Sequence, residues 1–167
     1  MKKFEAKLSD LSKIITYVVL AVLIIPTILM GSMAMNGQSE VLIPLAVVFV
    51  ALLGASFFRV KSYTLDVSEL RVQRPVGEAV FARADLRSAT PVTGKDLGFG
   101  LRLFGSGGFA GYTGIFFYRN IGKVVLYATD ANRFILLQTR EDKKYLVSPV
   151  DTAGFLKELG LPVESLD

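Results

Sequence analysis

Apolar residues crowd the first third of the chain, and the later two thirds alternate. Lys13 and Glu40 bracket an uncharged stretch whose apolar part, IITYVVLAVLIIPTILMGSMAM, is 22 residues long. A second run, VLIPLAVVFVALLGASFF, lies between Glu40 and Arg59 and is 18 residues long. Crossing a bilayer takes roughly 20 apolar residues at about 1.5 Å per residue. The pattern therefore predicts two transmembrane helices over 14–58, joined by the short link Asn36-Gly37-Gln38-Ser39-Glu40. Neither run shows the polar face of a globular amphipathic helix. A cleaved signal peptide is the rival reading, on Ser32-Met33-Ala34, but Glu5 and Asp10 do not suit its leading segment.

Charge adds an orientation. Lys2, Lys3, Lys7 and Lys13 precede the first run, Arg59 and Lys61 follow the second, and the link has neither Lys nor Arg. The positive-inside rule then places both termini in the cytoplasm, giving a multi-pass protein of the cell (inner) membrane. Residues 1–13 read as a basic cytoplasmic lead-in, or as an amphipathic helix presenting Phe4, Leu8 and Leu11. Pro26 falls mid-run, and Pro44 falls in a first helical turn, where its missing N–H is harmless. Ala51-x-x-x-Ala55, with Gly54 and Ser56, forms a strip of small residues suited to helix packing. No acidic or basic residue lies inside either run, which argues against transport.

From residue 59 onward the pattern is short alternating runs: SYTLDV, LRVQRP, EAVFARADL, RSATPV, LGFGLRLFG, GIFFYRN, KVVLYATD, RFILLQTR and KKYLVS. Turn chemistry separates them at Thr93-Gly94-Lys95, Asn120-Ile121-Gly122, Asp130-Ala131-Asn132 and Glu141-Asp142. Allowing for one or two false strands, this predicts about seven antiparallel strands. The end switches period. Ser148 as N-cap, Pro149 at the first helical position and an apolar stripe of Val150, Ala153, Leu156 and Leu159 with Phe155 predict a C-terminal helix. Gly160 and Pro162 stop it.

Composition excludes most catalysis. The chain has no His, Cys or Trp. Disulfides, thiolate nucleophiles, His-based triads, and Cys or His metal sites are thereby ruled out. No carboxylates stand at acid–base or metal-ligand spacing, so catalytic residues, metal and cofactors are all expected to be none. Residues 59–167 hold 15 basic and 12 acidic residues, too balanced for a nucleic-acid binder.

Strands followed by one closing helix resemble the pleckstrin-homology-like fold, and residues 101–159 look like its bacterial members. The resemblance rests on Arg102, Gly105-Ser106-Gly107-Gly108-Phe109-Ala110-Gly111-Tyr112 and Gly114. It continues through Tyr127-Ala128-Thr129-Asp130, RFILLQT, Tyr145 and Ser148-Pro149. It implies a mainly β soluble domain over 59–167, a partly open barrel of about seven antiparallel strands plus a C-terminal helix, of a kind often joined to one or two N-terminal membrane spans, here the two transmembrane helices that the apolar runs predict. The phosphoinositide pattern of eukaryotic relatives is not matched, since the first hairpin offers only Arg71 and Arg74, with Asp66 and Glu69 beside them.

The candidate contact residues are Arg102, Gly105, Gly107, Gly108, Phe109, Tyr112, Arg119 and Lys123. Five glycines between Gly105 and Gly114 predict a long hairpin loop rather than regular strand. The run formally fits a dinucleotide fingerprint, but no helix follows it. Its backbone N–H groups would form an anion nest, and Arg102, Arg119 and Lys123 a basic mouth, against the plainer reading of solvated strand-edge charge. Phe109 and Tyr112 either tuck inward or dip into the membrane interface. Together these features point to a non-enzymatic, membrane-anchored scaffold that binds a protein partner. The alternative is a sensor of anionic lipid, or another anionic ligand, through the glycine-rich loop.

Overall fold

The structure is a computed structural model and describes residues 1–35 and 42–164. The link between the apolar runs falls outside them, as do the side chains of Ala51, Ala55 and Ser56 in the small-residue strip.

The chain opens with a strand, not the helix or free lead-in that residues 1–13 suggested. β1 (Lys2–Glu5) pairs antiparallel with β2 (Ser62–Leu65), Phe4 opposite Tyr63. Phe4 is buried against Phe155, ring centres 5.2 Å apart and nearly perpendicular. A lone buried aromatic among charged neighbours fits a strand with one covered face as well as a helical stripe, and four residues are too few to separate the two periods.

Between β1 and β2 stand α1 (Asp10–Met35) and α2 (Leu42–Phe57), which touch each other. α1 runs through Pro26, and Pro44 lies in the first described turn of α2, as expected. Among the described residues one helix is long and apolar enough to cross a membrane, over Asp10–Ile28. The expectation of two such helices is met only by the first. The 16 described residues of α2 span about 24 Å, short of a hydrocarbon core of about 30 Å.

All nine alternating runs are strands. With β2 come β3 (Glu69–Gln73) and β4 (Glu78–Ala82), completing a four-stranded sheet ordered β1-β2-β3-β4. The others are β5 (Leu86–Val92), β6 (Gly100–Gly108), β7 (Gly111–Tyr118), β8 (Gly122–Ala128), β9 (Phe134–Thr139) and β10 (Lys144–Val147). They form a six-stranded sheet ordered β5-β9-β10-β8-β7-β6. The expectation of about seven strands, all antiparallel, is corrected: ten are described, and β10 inserts between β9 and β8, lying parallel to β8.

Two short helices complete the domain. α3 (Gly94–Leu97) is a single turn closed by a Thr93–Asp96 capping box and buries Leu97. Hydrogen bonds from Thr93 hold the Asp96 carboxyl below its ordinary pKa. α4 (Thr152–Leu159) buries Phe155 and Leu159 but leaves Leu156 half-buried. Its N-cap is Asp151, whose carboxylate accepts from Gly154 N at 2.9 Å, not Ser148. Ser148 instead accepts from Thr129 N and Asp130 N at 2.7 and 3.1 Å.

Two cores result. One gathers Phe4, Tyr63, Leu70, Ile135, Val147, Phe155 and Leu159 between the two sheets and α4. The other gathers Phe116, Val124, Leu126, Phe134, Leu136 and Leu146 on the opposite face of the six-stranded sheet, under Leu97. Neighbours along β9 alternate between them, Ile135 and Leu137 to the first and Phe134 and Leu136 to the second. That strand is buried on both faces and therefore reads as a continuous apolar run.

Candidate functional site

The glycine-rich stretch is a regular hairpin rather than a long loop. β6 and β7 pair from Gly100↔Tyr118 to Gly108↔Gly111, leaving a two-residue turn at Phe109-Ala110. Gly105 faces Gly114 directly, with φ of +108° and +126°. A Cβ on Gly105 would strike the Thr113 carbonyl, and one on Gly114 the Phe104 carbonyl. The glycines allow two backbones to meet where side chains could not.

The turn is not an open anion nest. Ala110 N donates to Thr16 Oγ1 of α1 at 3.0 Å, and Gly108 lies against Ile15. Ser9 N donates to the Thr129 carbonyl at 3.1 Å, and Ser12 is fully buried. The hairpin tip thus grips the foot of α1. Tyr112 packs inward against Phe134, ring centres 6.3 Å apart, and Phe109 is half-buried at the turn.

The expected basic mouth does not assemble. Arg119 follows β7 and Lys123 lies on β8, at the far end of the hairpin from Phe109. The length of β7 separates them from it by about 23 Å, at about 3.3 Å per residue. Arg102 stands exposed on β6, opposite Phe116, with Gly107 against its side-chain stem. Gly105, Gly107, Gly108, Phe109 and Tyr112 share one hairpin, while the three cations are distributed along it.

What the structure does assemble is a groove of about 810 Å³ between the end of α2 and the six-stranded sheet. Gly54 and Phe58 form one wall; Phe104, Gly105, Thr113, Gly114, Ile115, Val125 and Tyr127 form the other. Arg74 reaches into it from the β3–β4 turn, its guanidinium 5.9 Å from the Phe58 ring and 5.6 Å from that of Tyr127. Its Nε is buried and has no hydrogen-bond partner, and among the described residues no carboxylate lies within ion-pair distance of it. Arg71, its neighbour in the first hairpin, is neutralised by Glu69 at 2.8 Å and Glu78 at 3.7 Å. Burial raises the Tyr127 pKa, an effect that Arg74 partly offsets. Behind the groove, Tyr63 OH donates to the Tyr127 carbonyl at 2.7 Å and accepts from Ser148 N at 3.0 Å. Complete burial pushes the Tyr63 phenol up to about 12.

Arg74, Phe58, Ile115 and Val125 were not singled out as site residues by sequence reasoning. They are brought together by folding across some seventy positions, and the only local signal was a lone Arg before Pro75.

The free edges of the sheets differ sharply. The β5 edge is covered by the chain's last described residues, with Ala89 N donating to the Pro162 carbonyl and Thr90 Oγ1 to that of Glu164. β1 carries a bond from Val150 N to the Glu5 carbonyl, and β4 is only five residues long. β6 is nine residues long and bares Leu101, Leu103 and Phe104, the last 75% exposed.

A mainly β domain closed by one C-terminal helix is the architecture of a pleckstrin-homology-like module. The family comparison agrees: residues 61–161 match the bacterial PH domain family, and the chain belongs to it. The match starts just before β2, so β1 and the two helices lie outside it. No curated protein and no solved structure gives a significant match. Among the described residues no cluster of acidic side chains could hold a metal ion.

Proposed function

We propose that this protein is a membrane-anchored, non-enzymatic interaction module that holds its PH domain at the inner face of the cell membrane and captures an extended segment of a protein partner on β6. The observation that carries this reading is the β6 edge, which bares Leu101, Leu103 and Phe104 ahead of the tip held by α1, where the other edges are short or shielded. An open edge offers unpaired backbone groups to an incoming strand, and flanking side chains select it. Anchoring raises the effective concentration of partners in the same membrane.

The anchor is a two-span hairpin with both termini in the cytoplasm. Pairing of β1 with β2 supports it, because the chain leaves the domain at Glu5 and rejoins it at Ser62. A single crossing would strand the two halves of that ladder on opposite sides. The basic flanks and Lys-free link agree. The lipid-sensing alternative through the glycine hairpin is less favoured, since its tip is engaged by α1.

A photocrosslinking residue at Leu103 in the full chain, activated in native membranes, tests the capture. A discrete protein adduct that disappears with Leu101→Lys supports the reading; adducts with lipid alone overturn it. For topology, the cysteine-free chain carrying Gln38→Cys should react with an impermeant thiol reagent only from outside, and Val163→Cys only from the cytoplasm. The reverse pattern refutes the orientation.

A further inference from the structure

We propose that the groove between the end of α2 and the six-stranded sheet holds the acyl chain of an anionic lipid from the adjoining leaflet, its charged head against Arg74. This rests on the membrane-anchored reading and adds a ligand that reading does not require. Three observations converge. The volume of about 810 Å³ is that of a small-ligand site. Its walls are Phe58, Phe104, Ile115, Val125 and Tyr127, with hydroxyls but no carboxylate among the lining residues. Its one cation is Arg74, held between two aromatic rings with its buried Nε lacking a partner.

A partly buried guanidinium without a carboxylate demands an anion from outside, and planar donors suit phosphate oxygens. An apolar groove beside that cation demands a chain of methylenes. One molecule supplying both is an anionic amphiphile, and Gly54 and Phe58 place the groove at the end of α2, where lipids are at hand. The site differs from the glycine turn in place and chemistry: the turn offered backbone N–H groups to a bare anion, whereas the groove takes a tail first.

The test uses the full chain in lipid nanodiscs with phosphatidylglycerol or phosphatidylcholine carrying a photoactivatable acyl chain, adducts being mapped by mass spectrometry. Phosphatidylglycerol should label the segments around Ile115 and Val125. Its advantage over phosphatidylcholine should fall about tenfold in Arg74→Gln, the loss of one charge-assisted contact, and persist in Arg74→Lys. Ile115→Trp, which fills the groove, should abolish labelling by both. Label confined to α1 and α2, or equal labelling by the two lipids in the unaltered chain, overturns the proposal. Should a variant fail to fold, the unaltered chain with its two probes still decides. Alkaline extraction reads the anchor separately: a chain that stays in the membrane with an unlabelled groove overturns the groove alone, and an extracted chain overturns the anchor.

Discussion

Phe4→Ala should unfold the PH domain at a markedly lower temperature, although Phe4 precedes both apolar helices and lies outside the matched family region. Phe4 is 4% exposed and sits edge-on to Phe155, which is itself fully buried against Tyr63. Burying a phenyl group contributes about 1.5–3 kcal/mol, and an edge-to-face pair adds about 0.5–1.5 kcal/mol. The vacated space lies between two sheets and α4, where collapse is difficult, so the total should reach the usual range for such truncations, about 3–5 kcal/mol. At roughly 4 °C per kcal/mol, that is a drop of about 12–20 °C. Tyrosine fluorescence reads it in detergent-solubilised full chain, since there are six Tyr and no Trp. Val67→Ala, at a side chain 88% exposed in the β2–β3 turn, is the control. If Phe4→Ala melts with the control, β1 does not complete the domain and residues 1–13 are a detached lead-in after all.

Tyr63 predicts an alkaline limit. Its phenol is neutral when folded and is pushed from 10 up to about 12, so its contribution is fully present below pH 10 and is lost as pH rises toward 12. Two pH units correspond to about 2.7 kcal/mol, and Tyr63→Phe should flatten that part of the pH–stability curve; an unchanged slope counts against the buried phenol. Gly114→Ala should cost about 1–3 kcal/mol through positive-φ strain alone, and more from the blocked approach to Phe104, with proteolysis of β6 as the readout. Gly122→Ala, also at positive φ but with open space around it, should cost less, and equal losses would refute the close-approach argument. Arg83 donates to the last carbonyls of α4, at Glu158 and Leu159, at 2.9 and 2.8 Å. Arg83→Gln should therefore lower the melting temperature by several degrees, at about 1 kcal/mol, and increase amide exchange in α4 before the rest of the domain.

Strand identity was legible because each run keeps its own period and turn residues. Asn120–Gly122 and Glu141–Asp142 do turn the chain, with Gly122 and Asp142 at positive φ. Strand order was not legible: placing β10 between β9 and β8 depends on contacts among Leu126, Leu136 and Leu146, which the local pattern leaves interchangeable. The glycine stretch misled for a definite reason. Glycine density measures entropy lost on ordering, and Gly105 and Gly114 recover it by pairing with each other, a relation invisible when each is weighed alone. Ser148-Pro149 misled in a similar way. The pair has the composition of a helix start, but Tyr63 and Thr129 claim Ser148, and the cap falls three residues later at Asp151. The groove was the least legible feature, because its lining comes from α2, one turn and three strands.

Placing the helices between two paired strands has a physical consequence for how the parts depend on each other. β1 is made first but has no partner until β2 follows, with both helices between them. The Phe4 side of the core therefore closes only after the helical segment has been placed. Closure has a second set of ties at the foot of α1, where Thr16 accepts from Ala110 and Ser9 donates to Thr129. Those bonds fix the first helix to the β6–β7 turn and to the residue after β8, while Phe58 and Arg74 fix the end of the second to the opposite side of the groove. The width of the groove is thus set by how the two helices sit against each other as well as by the sheet beneath. A change in the tilt of the helices would act on the groove directly, because Phe58 ends the helical segment and Tyr127 belongs to the domain, with a single guanidinium between them.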